Sequence, residues 1–129
     1  MNFSFKDLDS ITIEQAYDFP PEGIHRVFYR CEIDSNGNVF IDDHDEKEEK
    51  ELVSKKESVE NLFNDLIKFV SEINNVEVTI DDTSRTVILH FKNYVNIEIP
   101  LYAKNKNDKF VSDIIDSFIN NCAEIKKGE

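Results

Sequence analysis

Six carboxylates fall within eight residues in the run Asp42-Asp43-His44-Asp45-Glu46-Lys47-Glu48-Glu49. Carboxylates so concentrated could hold a divalent cation, move protons in acid–base work, or present fixed negative charge to a cationic surface. The first two require side chains that converge on one point, with a carboxylate or imidazole moved into a pocket and its pKa shifted. His44-Asp45-Glu46 offers metal-ligand types, but neighbouring carboxylates in a run without apolar residues are ordinarily hydrated. The third chemistry needs only exposure, and the run satisfies that requirement by composition alone.

The remaining reactive residues are dispersed. Asp34-Ser-Asn-Gly-Asn-Val alternates oxygen ligands as a calcium loop does, yet an EF-hand requires Gly at its sixth position and Glu at its twelfth, where this chain has Val39 and Asp45. The segment therefore reads as a hairpin turn around Asn36-Gly37, a pair that accepts positive φ. His25, His44 and His90 are at least 19 residues apart, and none is paired with Cys or a second His at zinc-site spacing. Cys31 and Cys122 each lie among apolar residues with no activating neighbour, which predicts buried free thiols. No serine lies in a nucleophile elbow. With glycine only at positions 23, 37 and 128, phosphate-cradling and dinucleotide loops are excluded. No catalytic residue, metal or cofactor is expected, and the chain reads as a non-enzyme.

Charge narrows the partner. The net charge of −12 is lopsided: residues 1–49 carry 13 Asp/Glu against 4 Lys/Arg, and residues 50–129 carry 14 against 11. A surface of that sign repels the phosphate backbone, so nucleic acid is excluded as a partner. The cluster Lys104, Lys106, Lys109 is too small to reverse the balance. A basic protein is the complementary partner, met by electrostatic steering that weakens as salt rises. The interface candidates are Asp34, Asp42, Asp43, Asp45, Glu46, Glu48 and Glu49.

The elements that must position these residues follow from periodicity. A chain of 129 residues with 40% hydrophobic content and ten Phe supports one core, and residues 1–129 are expected to form a single α+β domain. Residues 1–10 are expected to be flexible, and residues 42–53 to form an acidic loop or helix extension. No window approaches the length of a bilayer span, and the start MNFSFKDLDS lacks the features of a signal peptide, so the expected compartment is the cytosol. Abundant Asn, Lys and Ile with scarce Ala and Gly is the bias of an AT-rich genome, bacterial or phage.

Ile11–Phe19 alternates briefly, then loses its pattern before Pro20-Pro21, predicting a short strand or irregular edge segment. His25–Ile33 is a predicted strand and Val39–Asp42 its hairpin partner. Ser54-Lys-Lys-Glu57 matches a capping box, and Val59, Leu62, Phe63, Leu66, Phe69, Val70 and Ile73 recur at helical spacing up to Asn74-Asn75. Three strands follow, Val76–Asp81, Thr86–Lys92 and Tyr94–Leu101, each with one wet and one buried face. A last helix, capped at Asn107 or Asp108, is predicted to run through Ile125 and end at Lys126-Lys127-Gly128.

The element order β(β)βα followed by βββα predicts an α+β fold, an antiparallel sheet of five to six strands with two helices packed on one face. No family motif is recognised. In size, charge and lack of catalytic motifs the chain is similar to small acidic inhibitors, immunity proteins and counter-defence proteins that block a toxin or nuclease by occlusion or charge mimicry. The competing expectations are a secretion-type chaperone, marked by dimerisation and a large exposed apolar patch, and a small-molecule or metal-binding domain, marked by a deep pocket gathering His25 or His90 with carboxylates.

Overall fold

The structure, a computed structural model, describes residues 3–19, 24–73, 83–101 and 106–125. Strands run at Leu8–Phe19 (β1), Ile24–Asp34 (β2), Asn38–Asp43 (β3), Glu48–Val53 (β4), Thr83–Phe91 (β5), Asn96–Leu101 (β6) and Ala123–Glu124 (β7), and β1, β2, β3, β5 and β6 carry alternating apolar and polar residues. Three- and four-residue periodicity produces helices at Lys56–Ile73 (α1) and Lys106–Asn120 (α2). The strands form one antiparallel sheet in the order β6-β5-β1-β2-β3-β4-β7, so the fold is α+β as expected. Among the described residues no helix is long and apolar enough to cross a membrane.

Register explains the core. Pairing across the sheet aligns Ile97, Leu89, Ile11, Ile33, Val39 and Leu52 in one row, and Ile99, Val87, Ile13, Cys31 and Ile41 in the next. Onto these rows α1 lays Val59, Leu62, Phe63 and Leu66, and α2 lays Val111, Ile115 and Phe118, all buried. Each such side chain removed from water stabilises the fold by about 1.5–3 kcal/mol. Phe63 meets Phe91 edge-on at 6.0 Å, and Phe3 lies 5.1 Å from Phe91, which closes the core beneath the N-terminal segment. Arg85 Nη2 donates to Asp116 Oδ1 at 2.9 Å and ties β5 to α2.

Several expectations are corrected. The segment Ile11–Phe19 is no edge. It belongs to a twelve-residue strand, β1, with β5 on one side and β2 on the other. Its alternation fades because the β1–β2 register slips between Gln15 and Ala16, where Phe28 is the extra residue of a bulge. Residues 3–10 hold a 3₁₀ turn at Phe5–Asp7 and the start of β1, with Leu8 fully buried. Residues 42–53 form neither a loop nor a helix extension; they complete β3, turn at His44–Lys47 and return as β4. Main-chain pairing to β3 needs no apolar side chain, and one buried anchor, Leu52, fixes the face.

Among the described residues the sheet therefore has seven strands, two of them, β4 and β7, unforeseen. The expected strand Val76–Asp81 lies outside the described residues. Ser54 does not cap α1: its hydroxyl donates to the Gly37 carbonyl at 2.9 Å, and the opening bonds of the helix run from the Ser58 and Val59 amides to Lys55 O. Tyr94 belongs to the β5–β6 turn, at φ +65 and 96% exposed, and not to a strand. The last helix stops at Asn120, because Ala123 and Glu124 pair with Val53 and Leu52 as β7.

Candidate functional site

The hairpin β3–β4 carries the acidic run. The direct cross-strand pairs next to its turn are Asp42 opposite Glu49 and Asp43 opposite Glu48. Like charges directly opposite one another destabilise a sheet, by about 0.2–1 kcal/mol per pair. Compensation is partial: Arg30 stands opposite Asp42 on β2, with its guanidinium paired to Glu14 at 2.7 Å. His44 Nε2 lies 3.5 Å from Asp42 Oδ2, and Lys50 Nζ lies 3.3 Å from Glu48 Oε1, all four side chains being substantially exposed.

Local bonds nevertheless fix the turn. His44 N donates to Phe28 O at 2.8 Å, Lys47 N donates to His44 O at 3.3 Å, and Glu46 N donates to Asp43 Oδ1 at 3.2 Å. Lys47 takes φ +51, the left-handed conformation that lets β4 start. Tyr17, stacked on Phe28 at 4.3 Å, donates its hydroxyl to Asp45 Oδ2 at 2.6 Å. That hydrogen bond holds the Tyr17 phenol above its ordinary pKa. Asp42, Asp43, His44, Lys47, Glu48 and Glu49 surround an open concavity of ≈ 500 Å³.

The hairpin continues into the sheet face opposite the helices. Register places Glu98, Ile88, Thr12, Glu32, Phe40 and Glu51 in one row on that face, and Thr86, Glu14, Arg30, Asp42 and Glu49 in the adjacent one. Arg30 is the only lysine or arginine in these two rows, and it is engaged by Glu14 at 2.7 Å. The face is thus anionic around a half-exposed phenyl ring, Phe40.

Of the seven residues predicted from the sequence, Asp42 and Glu49 belong to this face. Asp43 and Glu48 project to the other side of the sheet, and Asp45 and Glu46 lie in the turn. Asp34 follows Glu32 on the same face of β2 and lines a concavity with Glu32, Phe40 and Glu51, about 13 Å along the sheet from Asp42. Its carboxylate is occupied: Oδ1 accepts from the amides of Asn36 and Asn38, and Oδ2 from Asn38 Nδ2, each at 2.9 Å. Partial burial pushes this carboxyl up, but the bonds from Asn38, Asn36 and Gly37 outweigh it, and its pKa lies below the ordinary value. The turn it closes has Gly37 at φ +104, so one position and not two takes positive φ.

Glu14, Glu32, Glu51 and Glu98 were missed. Glu14, Glu32 and Glu98 each stand alone in their segments, although a lone acid between apolar residues, as in Cys31-Glu32-Ile33, already marks an outward position, and Glu51 lies just beyond the acidic run, after Lys50.

The other reactive groups do not gather. His90 donates from Nδ1 to Asn96 Oδ1 at 3.1 Å and accepts at Nε2 from the Thr12 hydroxyl at 2.9 Å, so both ring nitrogens serve the open face of the sheet. His25 contributes its backbone to β2, and its side chain is outside the described residues. Cys31 is a buried free thiol pushed up to about 12 by burial, with Cys122 adding to the shift. Cys122 is half-buried rather than buried, and donates to Phe118 O at 3.3 Å. Among the described residues no group of three or more His, Cys, Asp or Glu side chains is placed to hold a metal ion. Compared with family models, curated proteins and solved structures, the chain finds no match.

Proposed function

We propose that this chain is a protein-binding module that engages a basic protein, such as a toxin or nuclease, and blocks it by occlusion or charge mimicry, acting in the cytosol without turnover. The observation that carries this reading is the pairing of Asp42 with Glu49 and Asp43 with Glu48 in a turn fixed by local bonds. Local rules of strand pairing disfavour that arrangement, and violations of local rules concentrate where function requires them. A cationic partner would convert the repulsion into attraction. The adjoining row, with Glu32 and Glu51 on either side of Phe40, offers the polar surround and aromatic centre of a docking surface.

The test is affinity capture from source-cell lysate at low and high salt, with the native chain and with a variant carrying D42N, D45N, E46Q, E48Q and E49Q. One basic protein retained at low salt, and lost both at high salt and with the neutralised hairpin, supports the proposal. Capture indifferent to salt and to neutralisation overturns it in favour of a chaperone acting through apolar surface.

A further inference from the structure

The opposite side of the molecule carries a second concavity. β7, directly after α2, pairs with Leu52 and Val53, directly before α1, so the C-terminal end of α2 meets the N-terminal end of α1. Between the two helices runs an open groove of ≈ 450 Å³. On the α1 side it extends from Ser54 to Asp65, and on the α2 side from Phe110 to Asn121. The helical part of the α1 wall, Ser58 to Asp65, covers about two turns, roughly 10 Å, and the α2 wall from Phe110 to the end of the helix covers about three, roughly 15 Å.

The groove combines apolar and anionic groups. The partly buried Ile114 and Phe110, 56% exposed, supply apolar surface over a floor formed by the buried Leu62 and Phe118. Asp65 on α1 and Asp113 on α2 bring a carboxylate from each wall, whereas among the described residues no Lys or Arg lines the groove. Lys68 lies 3.9 Å from Asp65, in a pair exposed on both sides and therefore weak. Ser58, Asn61, Ser117 and Asn121 complete the walls with short neutral groups that leave the groove wide.

We propose that this groove receives one amphipathic helix of a protein partner, apolar on the entering face and lysine- or arginine-bearing on its flanks. The backbone groups of the walls are already bonded within α1 and α2, so the occupant must satisfy its own amides and carbonyls, as a helix does and an extended strand cannot. The roughly two to three turns of wall match apolar residues spaced i, i+4 and i+7 on the occupant. The carboxylates of both walls favour cationic flanks and repel acidic ones, a second copy of this chain included. The inference is independent of the acidic hairpin, which lies at the far end of β4 from α1.

The test uses the full chain and a fluorescein-labelled Leu/Lys peptide with leucines at i, i+4 and i+7, beside an isomer of the same composition with the leucines scattered. The patterned peptide is expected to bind saturably, about tenfold or more tighter than the isomer, with amide shifts at Ser58, Asn61, Asp113 and Ser117. Ser117→Trp, which fills the groove from an exposed position, abolishes this binding. Asp65→Asn with Asp113→Asn weakens it and flattens its salt dependence, whereas D42N with E49Q leaves it unchanged. Circular dichroism confirms that each variant is folded, and Ser58→Trp replaces Ser117→Trp if that one is not. Equal binding of the two peptides, shifts confined to the β3–β4 hairpin, binding untouched by the filling variants, or a dimer of the chain that those variants dissolve would each overturn the proposal.

Discussion

At one end of β3, Asp34 closes a turn with three hydrogen bonds, and Gly37 sits so close to the start of α1 that Ser54 directs both its amide and its hydroxyl to the Gly37 carbonyl. At the other end, two pairs of carboxylates face each other across the strands next to a turn that packs against neither helix. Both turns connect the same strand to its neighbours. The first is shaped by the needs of the fold, since every polar atom named there is satisfied and no alternative side chain fits. The second tolerates repulsion that neutral residues would remove, which points to a requirement outside the fold.

The comparison breaks first at Gly37. Alanine there needs a left-handed backbone, and its Cβ would overlap the Ser54 carbonyl oxygen, so Gly37→Ala should lower stability by about 3 kcal/mol or more in a denaturant titration. A loss under about 1 kcal/mol would show that the Gly37 turn is as tolerant as the acidic one.

Asp34→Ala comes next, costing about 1 kcal/mol, since solvent takes over part of the lost hydrogen bonding at this partly exposed site. Because the folded-state pKa of Asp34 is depressed, its contribution is complete above the ordinary carboxylate value of about 3.9 and is lost as pH falls through the folded value. The stability difference between the native chain and Asp34→Ala should therefore shrink below about pH 4. A difference that grows on acidification would contradict the assignment.

The smallest effect has the opposite sign. Asp42→Asn with Glu49→Gln relieves one like-charge pair and should raise stability by about 0.2–1 kcal/mol, measured at low salt, with the gain fading at high salt. Destabilisation by this pair of substitutions would mean that the carboxylates serve the fold after all. The thiols supply a further contrast: Cys122 should react with an aromatic disulfide reagent in the native protein, while Cys31, buried and with its pKa pushed up to about 12, should react only on unfolding.

Local signals carried most of what the sequence revealed. Val59, Leu62, Phe63 and Leu66 announce α1 because their spacing places them on one stripe whatever else the chain does. β4 was hidden, since Glu48, Glu49 and Lys50 owe their strand conformation to main-chain bonds with β3 and show no alternation of their own. The capping box at Ser54 misled because a hydroxyl that matches the motif was claimed by the carbonyl of Gly37, 17 residues earlier. Half of the candidate surface was legible as a run. The other half joins through strand pairing: Glu14, Glu32 and Glu51 through the successive pairs β1–β2, β2–β3 and β3–β4, and Glu98 only because β1 lies beside β5, a pairing across some seventy residues that no local pattern encodes.

The short reach of β7 has a consequence for how copies of the chain behave toward one another. Among the described residues it pairs with β4 at Leu52 and Val53 and adds a bond from Ile125 N to Glu51 O, which leaves the main chain from Glu48 to Lys50 on the rim of the sheet, where a strand from another molecule could add. Glu48 and Glu49 stand on that rim. Two such rims approaching edge to edge would bring like charges together, so the carboxylates assigned to attracting a foreign cationic surface also guard the chain against fibril-like stacking with itself.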